Sequence, residues 1–220
     1  MIPLMTWLAK LSQHKAHGTS LAAIIFTAVV GAGTYSLHGA VDWKIAAILA
    51  ASAVIFARFG ALYAHSLAEK KLRQAFGLFL SIVSVLVVVR GLLPNTGHSP
   101  GFWVNLLVFL STGAGAGFLA GMMGVGGGVV MVPPMVLLAG MSQHLAQGTS
   151  LLAMVPVSVS GALTHYRLGN VQTDLVSGLV VGAVVGGYIG GTAANLLPEL
   201  YLKFIFSGVL ILMGLKYMRN

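Results

Sequence analysis

Seven windows of about 20 mostly apolar residues recur along the chain, at Gly18 to Leu37, Trp43 to Ala64, Leu72 to Leu93, Phe102 to Met123, Ala146 to Tyr166, Leu175 to Leu196 and Tyr201 to Met218. A helix of that length matches the roughly 30 Å hydrocarbon thickness of a bilayer. Lipid offers no partner to an unpaired N–H or C=O, so windows of this kind are restricted to helices that satisfy their own backbone. Composition agrees: 57% of residues are apolar and 7% charged, against about 25% charged in soluble domains. The chain therefore reads as an all-α, polytopic membrane protein. Its formal net charge of +8 does not point to nucleic acid, because the basic residues sit beside span ends. The absence of cysteine excludes disulfides, thiolate chemistry and Cys-ligated metal. The N-terminal MIPLMTWLAKLSQHK has no basic residue before its apolar part and no small-x-small cleavage site, so a signal peptide is not indicated.

The sequence also repeats itself. Shifted by about 130 positions it overlays without a gap, with nearly thirty identities in about ninety pairs. Ser12, Gln13, His14, Ala16, Gly18, Thr19, Ser20 and Leu21 face Ser142, Gln143, His144, Ala146, Gly148, Thr149, Ser150 and Leu151. Gly31, Thr34, Gly39, Gly60, Glu69 and Phe76 likewise face Gly161, Thr164, Gly169, Gly190, Glu199 and Phe206. Residues 1–93 form a first repeat, 94–101 a connecting loop with the turn signals of PNTGHSP, and 102–220 a second repeat. Because Met1, Pro3 and Met5 overlay Met131, Pro133 and Met135, the first repeat starts partway through. It lacks counterparts of the long helix and glycine-rich stretch that open the second, which gives the expectation of an N-terminally truncated form.

Charge counting sets the topology. If 126–140 returns across the membrane, the repeats run in opposite directions, as in duplicated transporters. Lys10, Lys15, Lys70, Lys71, Arg73, Arg167, Lys216 and Arg219 then share the cytoplasmic side, with Lys44, Arg90 and Lys203 outside. Without that return the basic residues split almost evenly, so the positive-inside rule favours inverted repeats and a cytoplasmic C-terminus. The segment is short for a full crossing, which implies a broken or re-entrant helix.

The break belongs at GVGGG, Gly124 to Gly128. Each glycine costs a helix about 1 kcal/mol relative to alanine. In exchange the backbone can take positive φ and offer N–H groups at the start of the next helical piece, where an anion is favoured. Gly126, Gly127 and Gly128 are therefore candidates for substrate binding, with close helix packing as the alternative. The blocks Gln147-Gly148-Thr149-Ser150 and His17-Gly18-Thr19-Ser20 place hydroxyl, amide and imidazole donors at two related helix starts. They suit an anion's oxygens, and equally suit helix capping. An expected central site combines both blocks with the glycines.

His17 stands where the second repeat has Gln147, and histidine alone changes charge between about pH 5 and 8, so His17 is the candidate for proton coupling. A neutral histidine bonded to backbone is the alternative. His14 and His144 read as structural. Arg58 is the one basic residue well inside a span, placed either to contact an anion or to snorkel to the surface. Asp42, Glu69, Asp174 and Glu199 lie near span ends, so no carboxylate proton relay or cation site is expected. With no catalytic triad, zinc-ligand spacing or phosphate-loop lysine, neither an enzyme nor a cofactor or metal is expected.

GMMGVGGGVVMVPPM followed by QHLAQGTS, with the second copy in MIPLM and QHKAHGTS, resembles the TauE/SafE family, also called toluene sulfonate uptake permeases. The resemblance covers essentially the whole chain. It implies a multi-pass protein of the bacterial cytoplasmic membrane, a secondary carrier of small sulfur-containing or organic anions such as sulfite, sulfonates or sulfoacetate, moving them by alternating access. The chain departs from the family pattern at the missing first glycine motif. A passive anion channel and an inactive truncated member are the alternatives. The partners implied are the small anion, protons and lipid.

Overall fold

The computed structural model describes Met5, residues 10–64, Val85, residues 101–124 and residues 126–219. Its helices are α1 (Gln13–Leu37), α2 (Trp43–Tyr63), α3 (Phe102–Met123), α4 (Gly128–Leu137), α5 (Gln143–Arg167), α6 (Thr173–Leu196) and α7 (Glu199–Arg219). The described residues contain no strand, and α1, α2, α3, α5 and α6 are long and apolar enough to cross a membrane. The window at Leu72 to Leu93 and Glu69 lie outside the described residues.

The helix ends follow local chemistry. Ser12 accepts from the Lys15 N–H and Ser142 from the Leu145 N–H, which caps α1 and α5 alike. Those caps extend both helices several residues ahead of their apolar windows, through the polar QHKAH and QHLAQ. The Asp42 carboxylate caps α2 by accepting from Lys44 N at 2.9 Å and Ile45 N at 3.0 Å. Past α1, Gly39 takes φ of 68°, and past α5, Gly169 takes 72°. There the Ala40 N–H returns to the Tyr35 carbonyl at 2.9 Å and the Asn170 N–H to the His165 carbonyl at 2.8 Å, satisfying carbonyls that each helix leaves open.

Alpha-helices α1 and α5 form the centre of the bundle and run antiparallel. A β-carbon on Gly31 would meet the Leu151 side chain at 3.1 Å, and one on Gly161 would meet Leu21 at 3.1 Å. The two contacts are the same pairing with the halves exchanged, so the pair crosses near Phe26 and Pro156. Outside this pair, α1 packs on α6, α2 on both α5 and α3, and α7 on α5. Helices α2 and α3 run parallel at very close range. β-Carbons on Gly113, Gly117 and Gly121 would lie 2.4, 2.2 and 2.0 Å from the carbonyl oxygens of Leu49, Ala53 and Ala57. Glycine every fourth residue is what permits two backbones to approach this far. The short helix α4 fits between α3 and α5, burying Met131 and Met135 completely in the core that also holds Leu49, Met122 and Val157.

Correspondence between the halves extends to small details. Lys10, at φ of 49°, occupies the position of Gly140, at 67°, and the bond Leu11 N–H to Met5 carbonyl is matched by Met141 N–H to Met135 carbonyl.

Candidate functional site

Alpha-helix α3 ends at Gly124, whose N–H closes on the Ala120 carbonyl at 2.9 Å and whose φ is 65°. Gly126 and Gly127 follow at φ of 80° and 78°. These are left-handed angles that cost a residue with a β-carbon about 1–2 kcal/mol. Gly127 is the N-cap of α4, and no side chain caps that helix. Its carbonyl accepts from Val130 N at 2.9 Å and Met131 N at 3.0 Å, so the first-turn N–H groups ahead of Val130 have no place in the helix ladder. The positive end of the helix dipole adds to them.

Space around the turn is closed to side chains. A β-carbon on Gly126 would lie 2.6 Å from the Met154 methyl and 3.0 Å from Ile24. On Gly127 it would lie 3.1 Å from the Ala116 carbonyl, and on Gly128 it would lie 2.5 Å from the Met154 sulfur and 3.6 Å from Ser150 Oγ. All three glycines are buried. Ile24 and Met154 each lie within a turn of the α1–α5 crossing, so the uncapped end of α4 sits at the middle of the bundle, reached by both halves. Pro156 stands at the same level and has no N–H, which leaves the Leu152 carbonyl outside the helix ladder.

The threonines of the Gly-Thr-Ser blocks are elsewhere. Because α1 and α5 are antiparallel, Thr19 and Thr149 lie about 21 Å apart along the helix axes, near opposite ends of the pair. The expected convergence of the two threonines on one centre is corrected accordingly. Each Gly-Thr pair instead receives the turn of the other half. Thr149 Oγ1 accepts from Asp42 N at 2.9 Å, and Thr19 Oγ1 from Gln172 N at 3.0 Å. A β-carbon on Gly148 would lie 2.0 Å from the Ala40 carbonyl oxygen, and one on Gly18 would lie 2.3 Å from that of Asn170. Both threonines are fully buried and both of these bonds join the halves. Ser150 turns its proton to the Gln147 carbonyl at 2.8 Å, with its oxygen facing Gly128. Ser20 is buried one residue beyond Thr19.

Gln147 and His17 also occupy opposite ends. The Gln147 amide oxygen accepts from the Tyr35 hydroxyl. The residue matching Tyr35 in the second half is His165, which abuts Gly18, next to His17. His165 is completely buried, and its Nε2 lies 2.9 Å from the Gly121 carbonyl, so it serves as the N–H donor to the last turn of α3. His17 itself backs onto Gly124, whose β-carbon would lie 2.7 Å from the His17 Cα. Sequence reading missed His165. The overlay carried a signal, since the pair Tyr35 and Gln147 becomes His165 and His17 when the halves are exchanged.

Arg58 is on the exposed face of α2 and is not brought to the turn. His144 Nε2 lies 3.2 and 3.1 Å from the carbonyl oxygens of Ala194 and Leu197, where it ties the start of α5 to the end of α6. Beside it the Gln143 N–H donates to Glu199, which pairs with Lys203 at 2.9 Å. Asp42 is the α2 cap and Asp174 lies in the first turn of α6. Among the described residues no three His, Asp or Glu side chains are grouped to hold a metal ion.

A helical bundle with apolar spans and a broken helix opening at its middle is the architecture of a polytopic membrane protein that handles a solute inside the bilayer. Comparison with known proteins carries this further. The family model for the sulfite exporter TauE/SafE matches residues 1–217, and the chain belongs to that family of membrane transporters. It is 28% identical over 205 residues to the probable membrane transporter protein YdhB of Bacillus subtilis, covering 92% of this chain and 84% of that one. With YunE of the same organism the identity is 26% over 193 residues, 78% of this chain and 71% of the relative. With MJ0441 of Methanocaldococcus jannaschii it is 23% over 159 residues, 71% and 57% of the two chains. No solved structure matches the chain.

Proposed function

We propose that the protein is a secondary carrier of small oxyanions of the sulfite, sulfonate and sulfoacetate class across the bacterial cytoplasmic membrane, with the anion seated at the glycine turn. The observation that carries this reading is the uncapped N-terminus of α4, placed at mid-bundle between α1 and α5 and free of side chains of its own at Gly126, Gly127 and Gly128. Such a terminus offers N–H donors and a positive dipole end to an anion in a place without water. The family name points to sulfite, and the relatives' names to transport.

Alternating access follows from the arrangement of the halves. We infer inverted repeats from the antiparallel α1–α5 pair and from contacts that recur when the halves are exchanged: Gly18 with Asn170 and Gly148 with Ala40, Thr19 with Gln172 and Thr149 with Asp42. Rocking one half on the other about this pair would open the turn first to one side and then to the other. Lys10, Lys15 and Arg167 share one end of the bundle with the C-terminus of α7, which supports a cytoplasmic orientation for that end. His17, beside the turn at that end, is the residue we assign to proton coupling.

The test is flux of radiolabelled sulfite in proteoliposomes. A carrier gives uptake that saturates and is accelerated by unlabelled sulfite on the far side. Flux that rises in proportion to concentration without counterflow would establish a channel instead.

A further inference from the structure

We infer that Ser158 is a ligand-binding residue of this carrier, whose hydroxyl completes the oxyanion seat begun by the N–H groups of α4. The inference rests on the carrier reading above. Alpha-helix α5 carries five serines and threonines, and four have a partner. Thr149 accepts from Asp42, Ser150 donates to Gln147, Ser160 donates to the Val54 carbonyl at 3.0 Å and Thr164 donates to the Ser160 carbonyl at 2.9 Å. Ser158 is completely buried and its Oγ has no hydrogen-bond partner. A serine inside a helix ordinarily returns its proton to the carbonyl three or four residues back. Leaving a buried hydroxyl unpaired costs about 1–3 kcal/mol, so the position calls for a reason.

The neighbours of Ser158 on the same face supply one. Met154, one turn earlier, touches Gly126 and Gly128, while Gly161, three residues later, packs on Leu21 and reaches Gly121. His165, seven residues later, bonds the Gly121 carbonyl. Residues three, four and seven apart share a helix face. Ser158 therefore lies on the stripe of α5 that faces the end of α3 and the glycine turn, about 6 Å along the axis from Met154. An anion with several oxygens on one centre can bridge donors on two elements, one oxygen accepting from the turn and another from the hydroxyl over bonds of about 2.7–3.0 Å.

Met154 occupies the space beside the glycine turn in this conformation. Its unbranched thioether side chain has three rotatable bonds and can vacate that space more easily than a branched residue. The first half has Ala28 at the matching position, also buried. The hydroxyl is thus a feature of one half only, and Ala28 shows that a methyl group packs well in the equivalent setting.

The chain has no cysteine, so Ser158→Cys supplies a single thiol of nearly the same size. Two readouts decide the role. In proteoliposomes, Ser158→Ala should raise the half-saturation for sulfite about tenfold or more, the loss expected for a hydrogen bond to a charged ligand. The amount of folded protein should be unchanged or higher. In the Ser158→Cys variant, methanesulfonate should slow maleimide labelling severalfold, with equal chloride without effect. Unchanged half-saturation in Ser158→Ala together with labelling indifferent to methanesulfonate would overturn the role of Ser158. If wild-type flux still saturated in that case, the carrier reading would stand. Wild-type protein with neither saturable flux nor protection would sink both. Should Ser158→Ala fail to accumulate, protection in Ser158→Cys decides the matter alone.

Discussion

The middle of the bundle and its two ends both use glycine beside small polar residues, and they use it for opposite purposes. At the ends, Gly18-Thr19 and Gly148-Thr149 are consumed by protein. Their missing β-carbons admit the carbonyls of Asn170 and Ala40, and their hydroxyls accept from Gln172 and Asp42. At the middle, Gly126 to Gly128 admit no such partner, α4 starts without a cap, and Ser158 nearby holds an unspent hydroxyl. A satisfied donor or acceptor supports the fold, whereas an unsatisfied buried one lowers stability and awaits a ligand. On the proposed reading, the ends hold the halves together and the middle takes the solute.

The largest effect expected from breaking this contrast is at an end. Gly148→Val would drive a side chain into the Ala40 carbonyl, at 2.0 Å from the β-carbon, with backbone on one side and Tyr35 on the other. A loss above about 3 kcal/mol is expected, read as the disappearance of monodisperse protein after detergent extraction. Gly127→Leu comes next and acts differently. It costs about 1–2 kcal/mol through its positive φ and about 1–3 kcal/mol more by crowding the Ala116 carbonyl and Ala120, and in the protein that still folds it should lower sulfite flux at least tenfold by filling the anion's place.

Thr149→Val sharpens the comparison further, because it removes only an acceptor. The Asp42 N–H is left without its bond, at about 1–3 kcal/mol, seen as a lower melting temperature while the half-saturation for sulfite stays at the wild-type value. Thr19→Val should cost a similar amount through Gln172. Least of all should follow from Gly186→Leu. The outer face of α6 at Gly182, Gly186 and Gly190 has nothing within 4 Å of a β-carbon, so yield and flux should match wild type. A strong defect there would mean that the face is covered by a partner in the membrane.

How much of this was legible in the residues depended on whether the cause was local. Hydropathy placed the ends of α3 and α6 at Met123 and Leu196, because in both the apolar run stops where the helix does. It placed the starts of α1 and α5 too late, since Ser12 and Ser142 cap helices whose first turn is polar. The glycine break was readable from GVGGG, whose backbone cost has no other use in a span. The role of Gly-Thr was not, because the partner of Thr149 is a backbone N–H 107 positions away. Ser158 was passed over for the opposite reason. A lone serine in an apolar run looks like one bonded to its own helix, and only its neighbours in space show that it is not.

Ligand-dependent stabilisation of the purified protein puts the division between middle and ends to its most direct test. Sulfite at about 100 times its dissociation constant adds roughly 2.7 kcal/mol to a protein that binds it only when folded. Wild type and Thr149→Val should both gain several degrees in melting temperature, from different starting points, while Gly127→Leu should gain none. An equal gain in all three, or a gain lost only in Thr149→Val, would contradict an anion seat at the glycine turn.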